Sequence, residues 1–141
     1  MVTAAYSLEF AGYRLATNSS GLLTRSGIYC VYACVYHTNN DTVSLNRVLY
    51  IGEAADVRER VLNHEKWPKW WNQLATGEEI CFSVALIAGA SDRKRAEAAM
   101  VFKHQPPCNT EYVDAFPFDT TSLTTTGKNA LLHGSFVVYR M

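Results

Sequence analysis

The order of the helices and strands that the sequence predicts indicates an α+β fold built on a small, mostly antiparallel sheet. From the N-terminus, the predicted elements run strand, strand, helix, helix, strand, helix and strand, with short polar connections between them. The chain has 141 residues, of which 48% are hydrophobic and 18% are charged, which is enough apolar material for one core. We therefore expect residues 1–141 to form a single domain.

Stretches rich in β-branched and aromatic residues predict the strands. Loose alternation around Gly12 suggests a short hairpin over residues 6–15, and clearer strand signals follow at residues 28–36, 48–52, 79–87 and 135–140. Within residues 28–36, alternation places Tyr29 and Val31 on one face and Cys30 and Tyr32 on the other. We interpret the threonine-rich stretch 120–126 as a loop over the sheet.

Capping residues and prolines mark the predicted helices. Asp56 can cap a helix that ends near His64, because apolar residues recur between them at helical spacing. Pro68 suits the first turn of a second helix. Ser91 or Asp92 is expected to cap a third helix, which ends near residue 104 before two consecutive prolines.

Charge and composition exclude several classes of protein. The chain has 13 basic and 13 acidic residues, which argues against affinity based on an extended basic surface but leaves a local basic cleft open. No apolar run approaches the roughly 20 residues of a membrane span, and the N-terminus lacks a secretory pattern, so we expect a cytoplasmic protein without a membrane segment. The four cysteines lack the paired spacing of a zinc site, and we expect reduced thiols in the core.

Two tyrosines are candidate site residues because of their expected positions in the sheet. If the first two clear strands pair antiparallel, Tyr29 and Tyr50 lie on one face near one end of the sheet. Gly52 then leaves room for a close approach just before the first helix. Two phenols there could hold a phosphate or a water, although ordinary sheet tyrosines are the simpler alternative.

Two helices contribute further candidates. Arg60 and His64 are four residues apart and share a face with apolar residues, which suits a phosphate clamp as well as an incidental surface pair. Glu97 is the lone carboxylate of an apolar run at residues 96–102. A buried carboxylate needs a partner, and a divalent metal or a salt bridge to a cation such as Arg60 would supply one.

The order and spacing of these residues resemble those of the GIY-YIG nuclease family. The matching positions, spread over residues 27–109, are Gly27-Ile28-Tyr29, Tyr50-Ile51-Gly52, Arg60, His64, Glu97 and Asn109. Both signature tripeptides stand without a substitution, and the ordered set of matches is far more specific than one tripeptide. One departure is Glu53, where family members often carry a non-acidic residue, and we expect its side chain to face solvent.

The resemblance implies a fold and an activity. Family members have a small, mostly antiparallel three-stranded central sheet flanked by helices. Here residues 27–109 would form that core, and residues 1–26 and 110–141 would be terminal additions with extra strands. The implied activity is hydrolysis of nucleic-acid phosphodiester bonds by a nuclease that depends on Mg²⁺ or Mn²⁺, with DNA endonuclease activity as the favoured form.

The resemblance also implies a role for each matching residue. Glu97 would bind the metal, and Arg60 would hold the scissile phosphate and stabilise its charge in the transition state. Tyr29 would act as general base or orient the attacking water. Tyr50 and His64 would position water and phosphate, and Asn109 would support the site as a substrate-side residue.

Two further clusters have a functional and a structural interpretation. The basic run Arg93, Lys94 and Arg95 would contact phosphates of the substrate or form a solvated helix face. The three tryptophans at positions 67, 70 and 71 have the spacing of a core stripe, with base stacking as the alternative.

Two other functional hypotheses stay open from the sequence. The chain could be a catalytically silent module of this type that binds nucleic acid or protein, or the catalytic subunit of a larger nuclease assembly. Expected partners are nucleic acid and a second copy of the chain or a partner subunit.

Overall fold

A single mixed sheet organises the computed structural model, which describes residues 3–141. The strands are β1 (Ala4–Leu15), β2 (Gly27–His37), β3 (Thr42–Ala54), β4 (Glu79–Leu86), β5 (Thr121–Gly127) and β6 (Ser135–Val138). The helices are α1 (Val57–Leu62), α2 (Trp67–Asn72) and α3 (Ala90–His104), and a short 3-10 helix covers Ala16–Gly21. None of the helices within residues 3–141 is long and apolar enough to cross a membrane.

The strand order in space is β3-β2-β4-β1-β5-β6. β2 pairs antiparallel with both β3 and β4, β4 pairs antiparallel with β1, and β1 pairs parallel with β5. The predicted three-stranded, mostly antiparallel sheet flanked by helices is therefore wrong. The three strands of the motif region are present, but the described chain continues them into a mixed sheet of six strands.

Two segments account for this difference. Residues 6–15, expected as a hairpin, belong to one long strand, and Gly12 lies at an irregularity of the pairing with β4 instead of at a turn. The threonine-rich segment, expected as a loop, is β5, whose residues Thr121, Leu123 and Thr125 alternate inward. Threonine is β-branched and fits a pleated, half-buried surface, so a polar composition does not prevent a strand here.

Both faces of β2 are covered, which explains its nearly continuous apolar sequence. Tyr29 and Val31 face a cluster that includes α1 and α2, whereas Cys30 and Tyr32 face a cluster that includes α3. The predicted alternation along this strand is confirmed. The site residues of β2 thus lie on the face that α1 and α2 cover.

The helix signals are confirmed in part. The Asp56 side chain accepts a hydrogen bond from the Glu59 backbone N–H at 3.1 Å, as an N-cap should. The third helix starts at Ala90 after Gly89, and Asp92 instead accepts a hydrogen bond from the Tyr6 hydroxyl at 2.8 Å. The four cysteines are buried free thiols.

Candidate active site

A cleft of about 440 Å³ collects most of the residues that the sequence analysis singled out. Its walls include Tyr29, Tyr50, Arg60, Lys94, Glu97 and Asn109. These residues come from β2, β3, α1, α3 and the segment after α3. Residues up to 80 positions apart therefore meet at one place because the strands and helices pack there.

The pairing of β2 with β3 brings the two tyrosines together. Tyr29 lies opposite Gly52 and Val31 opposite Tyr50 in the antiparallel register, and the two phenol rings are 6.2 Å apart at their centroids. A Cβ atom at position 52 would collide with the Tyr29 ring. The glycine of the second tripeptide is therefore required for the close approach of the Tyr29 phenol.

Both phenols hold their protons firmly. Burial, with a further contribution from Tyr50, raises the pKa of Tyr29 far above its ordinary value. Burial and the negative charge of Glu97 raise the pKa of Tyr50 to about 12. Near neutral pH both side chains are therefore neutral hydrogen-bond donors facing the cleft.

His64 lies directly behind the cleft. It is 4% exposed, and its ring packs 5.1 Å from the Tyr50 ring and 4.7 Å from the Trp70 ring. Burial, together with the positive charge of Arg60, lowers the pKa of His64 to about 4. Its Nδ1 accepts a hydrogen bond from the Lys66 backbone N–H at 3.1 Å, which places the proton of the neutral ring on Nε2. That buried Nε2 has no hydrogen-bond partner among residues 3–141.

The guanidinium of Arg60 lies at the cleft and forms a bidentate ion pair with Glu65. The two nitrogen–oxygen distances are 2.8 Å and 3.1 Å. Arg58, on the other side of α1, instead donates to the Ser20 carbonyl at 3.1 Å. The two arginines therefore point to different surroundings.

Glu97 contributes a half-buried carboxylate without a cationic partner. It is flanked on α3 by the buried residues Ala96 and Ala98. Burial raises the pKa of Glu97 to about 8, and the negative charges of Glu53 and Glu111 add to the effect. No arginine or lysine forms an ion pair with Glu97 in the described part of the chain, so the salt bridge to Arg60 considered from the sequence is not formed.

The basic run before Glu97 divides into three different environments. Arg93 is 11% exposed, pairs with the Glu53 carboxylate and donates to the Ser26 hydroxyl at 2.8 Å. Arg95 donates to Thr121 at 2.8 Å and so ties α3 to β5. Only Lys94 of the three lines the cleft. Glu53, expected to face solvent, lies instead in the cleft wall with a side chain 17% exposed.

Asn109 holds the edge of β3. Its carboxamide accepts from the Ile51 backbone N–H at 3.0 Å and donates to the Ile51 carbonyl at 2.9 Å. The side chain thus satisfies the backbone groups next to Tyr50 and Gly52 as a neighbouring strand would. Asn109 therefore stabilises the edge of β3 beside the second tripeptide.

The tryptophans serve mainly as packing. Trp70 is fully buried against Tyr50 and His64, and the half-buried Trp67 stacks on Trp71 with ring centroids 5.8 Å apart. Trp71 is 50% exposed. The core interpretation is therefore confirmed for Trp70, which supports the residues behind the cleft.

Sequence reasoning missed several residues of the cleft wall. Glu65, Lys66, Glu111 and Tyr112 also line it. Glu65 and Lys66 follow His64 directly, but no periodicity or spacing marked them. The segment after Asn109 carried only a polar composition, which does not indicate a site.

No protein-family model matches the chain, and neither does any curated protein or any solved structure. The functional argument therefore depends on the residues of the cleft and their geometry.

Proposed function

We propose that this chain is a divalent-metal-dependent nuclease that cleaves phosphodiester bonds of DNA with an active site of the GIY-YIG type. The observation that carries the proposal is the convergence of Tyr29, Arg60 and Glu97 on one cleft. A hydroxyl donor, a guanidinium and a carboxylate without a cation suit the hydrolysis of an anionic ester.

The cleft chemistry fits a hard divalent cation. A half-buried carboxylate whose pKa is raised to about 8 by burial and by neighbouring carboxylates is a favourable place for positive charge. Within residues 3–141, no group of three or more His, Cys, Asp or Glu side chains could hold a metal. Mg²⁺ keeps several waters and needs only one or two protein carboxylates, so this finding is compatible with Glu97 as its protein ligand. When bound, the cation would lower the pKa of a coordinated water and neutralise charge on the phosphate.

The other cleft residues would position the phosphate and the water. Arg60 presents a planar fork that matches two phosphate oxygens, and Lys94 adds a second positive charge. Tyr29 and Tyr50 can each donate a hydrogen bond to a phosphate oxygen or to the attacking water. Of the two roles considered for Tyr29, its strongly raised pKa supports the orienting role over that of general base.

His64 and Asn109 would act by holding other residues. His64 is neutral, and its Nδ1 already accepts a backbone hydrogen bond, so it is not free to take a proton at that atom. Its ring packs against Tyr50 and fixes the position of that phenol. Asn109 fixes the adjacent backbone of β3.

The direct test is incubation with supercoiled plasmid, single-stranded DNA, branched DNA and RNA, with Mg²⁺ and with excess chelator. We expect cleavage that requires the metal and is lost in Glu97→Ala and Glu97→Gln. Glu9→Gln, which changes an exposed carboxylate on β1, is the matched control and should cleave normally. Full cleavage in chelator or by Glu97→Ala would refute the assignment, and binding without cleavage of any substrate would instead indicate the silent binding module.

A further inference from the structure

The Glu65 carboxylate occupies the Arg60 guanidinium, which is the group that the proposed function assigns to binding the substrate phosphate. Both nitrogen–oxygen contacts, at 2.8 Å and 3.1 Å, engage the planar fork of the guanidinium. A carboxylate and a phosphate use the same bidentate geometry on arginine. The two ligands therefore cannot both occupy the edge of the guanidinium formed by Nη1 and Nη2.

The backbone around Glu65 is well anchored, whereas its side chain is exposed and held by the ion pair with Arg60. Glu65 lies in the connection between α1 and α2, next to the buried His64, whose Nδ1 accepts from the Lys66 backbone N–H. The Glu65 side chain itself is 65% exposed, and the Arg60 side chain is 39% exposed. Rotation of the Glu65 side chain can therefore release Arg60 into the cleft without disturbing the backbone.

The charge on Glu65 persists under all ordinary conditions. The hydrogen bond from Arg60 lowers the pKa of the Glu65 carboxyl to about 2. A change of pH in the neutral range does not open the pair, so a competing anion has to displace it.

We propose that Glu65 is a built-in competitor for phosphate, whose carboxylate occupies the Arg60 fork in the free protein and leaves when a phosphate group binds. This inference rests on the phosphate-binding role proposed for Arg60. It predicts that the free protein has a lower affinity for phosphate groups than the cleft residues would otherwise provide. An exposed ion pair of this kind is weak, so a phosphate can displace it at a modest loss of affinity.

The test compares Glu65→Gln with Glu59→Gln, which removes one exposed carboxylate from α1, the helix that carries Arg60. Inorganic phosphate is titrated into each protein in metal-free buffer, and the backbone amide NMR signals of residues 57–66 report binding. We expect Glu65→Gln to bind phosphate about three- to fivefold more tightly than the wild type, and Glu59→Gln to change the affinity by less than about twofold. In an Arg60→Ala background, Glu65→Gln should have no effect, because the competition requires both residues.

Cleavage kinetics distinguish competition from a positioning role. If Glu65 competes with phosphate, Glu65→Gln lowers KM by a similar factor and leaves kcat nearly unchanged. A fall in kcat without a gain in phosphate affinity would show that Glu65 orients Arg60, and would overturn the inference. An equal gain for Glu59→Gln would show a general charge effect and would overturn it as well.

The phosphate titration keeps this inference separate from the nuclease proposal. Tighter phosphate binding by Glu65→Gln in a protein that cleaves no nucleic acid would support the competition and refute the nuclease activity. Cleavage by the wild type, with no gain in phosphate affinity for Glu65→Gln, would do the reverse.

Discussion

Replacing Glu97 by glutamine should stabilise the folded protein at alkaline pH. Burial and two neighbouring carboxylates raise the pKa of Glu97 from 4.5 to about 8. The folded state therefore binds this proton more tightly than the unfolded state does, and the charge destabilises the fold increasingly as the pH rises from 4.5 toward 8. Glutamine keeps the shape of the side chain and removes the charge.

The size of the effect follows from the pKa of Glu97 in the unfolded and folded states. A rise in that pKa from 4.5 to about 8 would lower the free energy of unfolding at alkaline pH by about 5 kcal/mol if it acted in full. Because Glu97 is half-buried and water reaches the cleft, we expect Glu97→Gln to raise the free energy of unfolding by about 2–4 kcal/mol at about pH 8.5. Below the ordinary carboxyl pKa both states are protonated, so the difference should nearly vanish at about pH 4.5.

Urea unfolding at the two pH values, followed by tryptophan fluorescence, measures the difference directly. Glu9→Gln provides the control for an exposed carboxylate and should change the unfolding free energy by less than about 0.5 kcal/mol at either pH. Mg²⁺ at millimolar concentration should raise the Tm of the wild type at about pH 8.5 but not that of Glu97→Gln, because it binds the folded state through that carboxylate. An equal stabilisation at both pH values, or none at pH 8.5, would refute the argument from buried charge.

Four further predictions follow from other parts of the site. Arg60→Ala should lower kcat about 100-fold or more, a far larger effect than its rise in KM, and Arg60→Lys should recover little. Arg58→Ala should be nearly silent, and equal losses at both arginines in steady-state kinetics would contradict the geometry. Burial lowers the pKa of His64 to about 4, so the free energy of unfolding should fall by up to about 3 kcal/mol as the pH drops from 6.5 to 4. Urea unfolding of His64→Gln should show a flatter pH dependence over that range. Gly52→Ala should destabilise the fold by about 1–3 kcal/mol, because the new methyl group collides with the Tyr29 ring. Gly134→Ala, whose methyl group has no atom within 4 Å, should be nearly neutral, and thermal unfolding measures both effects. Finally, because the motif residues occur once in the sequence, each chain offers one proposed active site and should nick supercoiled plasmid first. Linear product should rise more steeply than linearly with protein concentration if two chains act together, and linear product without a nicked intermediate, from protein shown to be monomeric, would contradict this.

Part of the candidate site could be predicted from the sequence. The positions of Tyr29, Tyr50, Arg60 and Glu97 were identified from their types, their order and the faces they occupy, and the fold brings all four to one cleft. Short-range periodicity indicates which face of its strand or helix each residue occupies. That the four residues belong to one site is implied by the resemblance to the GIY-YIG family. The sequence did not reveal the partners of Arg93, Arg95 and Glu53, because a run of charges has the same appearance whether it faces solvent or forms internal ion pairs.

The sequence alone indicated β2 and its two faces, β4, the main helices and residues 48–52 of β3, because these depend on alternation, capping and helical spacing within a few residues. It did not indicate that β3 begins at Thr42. Only the tertiary structure shows that the sheet has six strands and that Glu65 occupies the Arg60 guanidinium in the cleft. β1 pairs in parallel with β5, and Ser7 and Thr124 in that pair are separated by 117 positions. Pairing over such a distance depends on which surfaces remain to be buried once the rest of the chain has folded, so local periodicity does not encode it. The same reason applies to Arg60, whose fork is occupied by Glu65 only because the turn after α1 brings that carboxylate back over it.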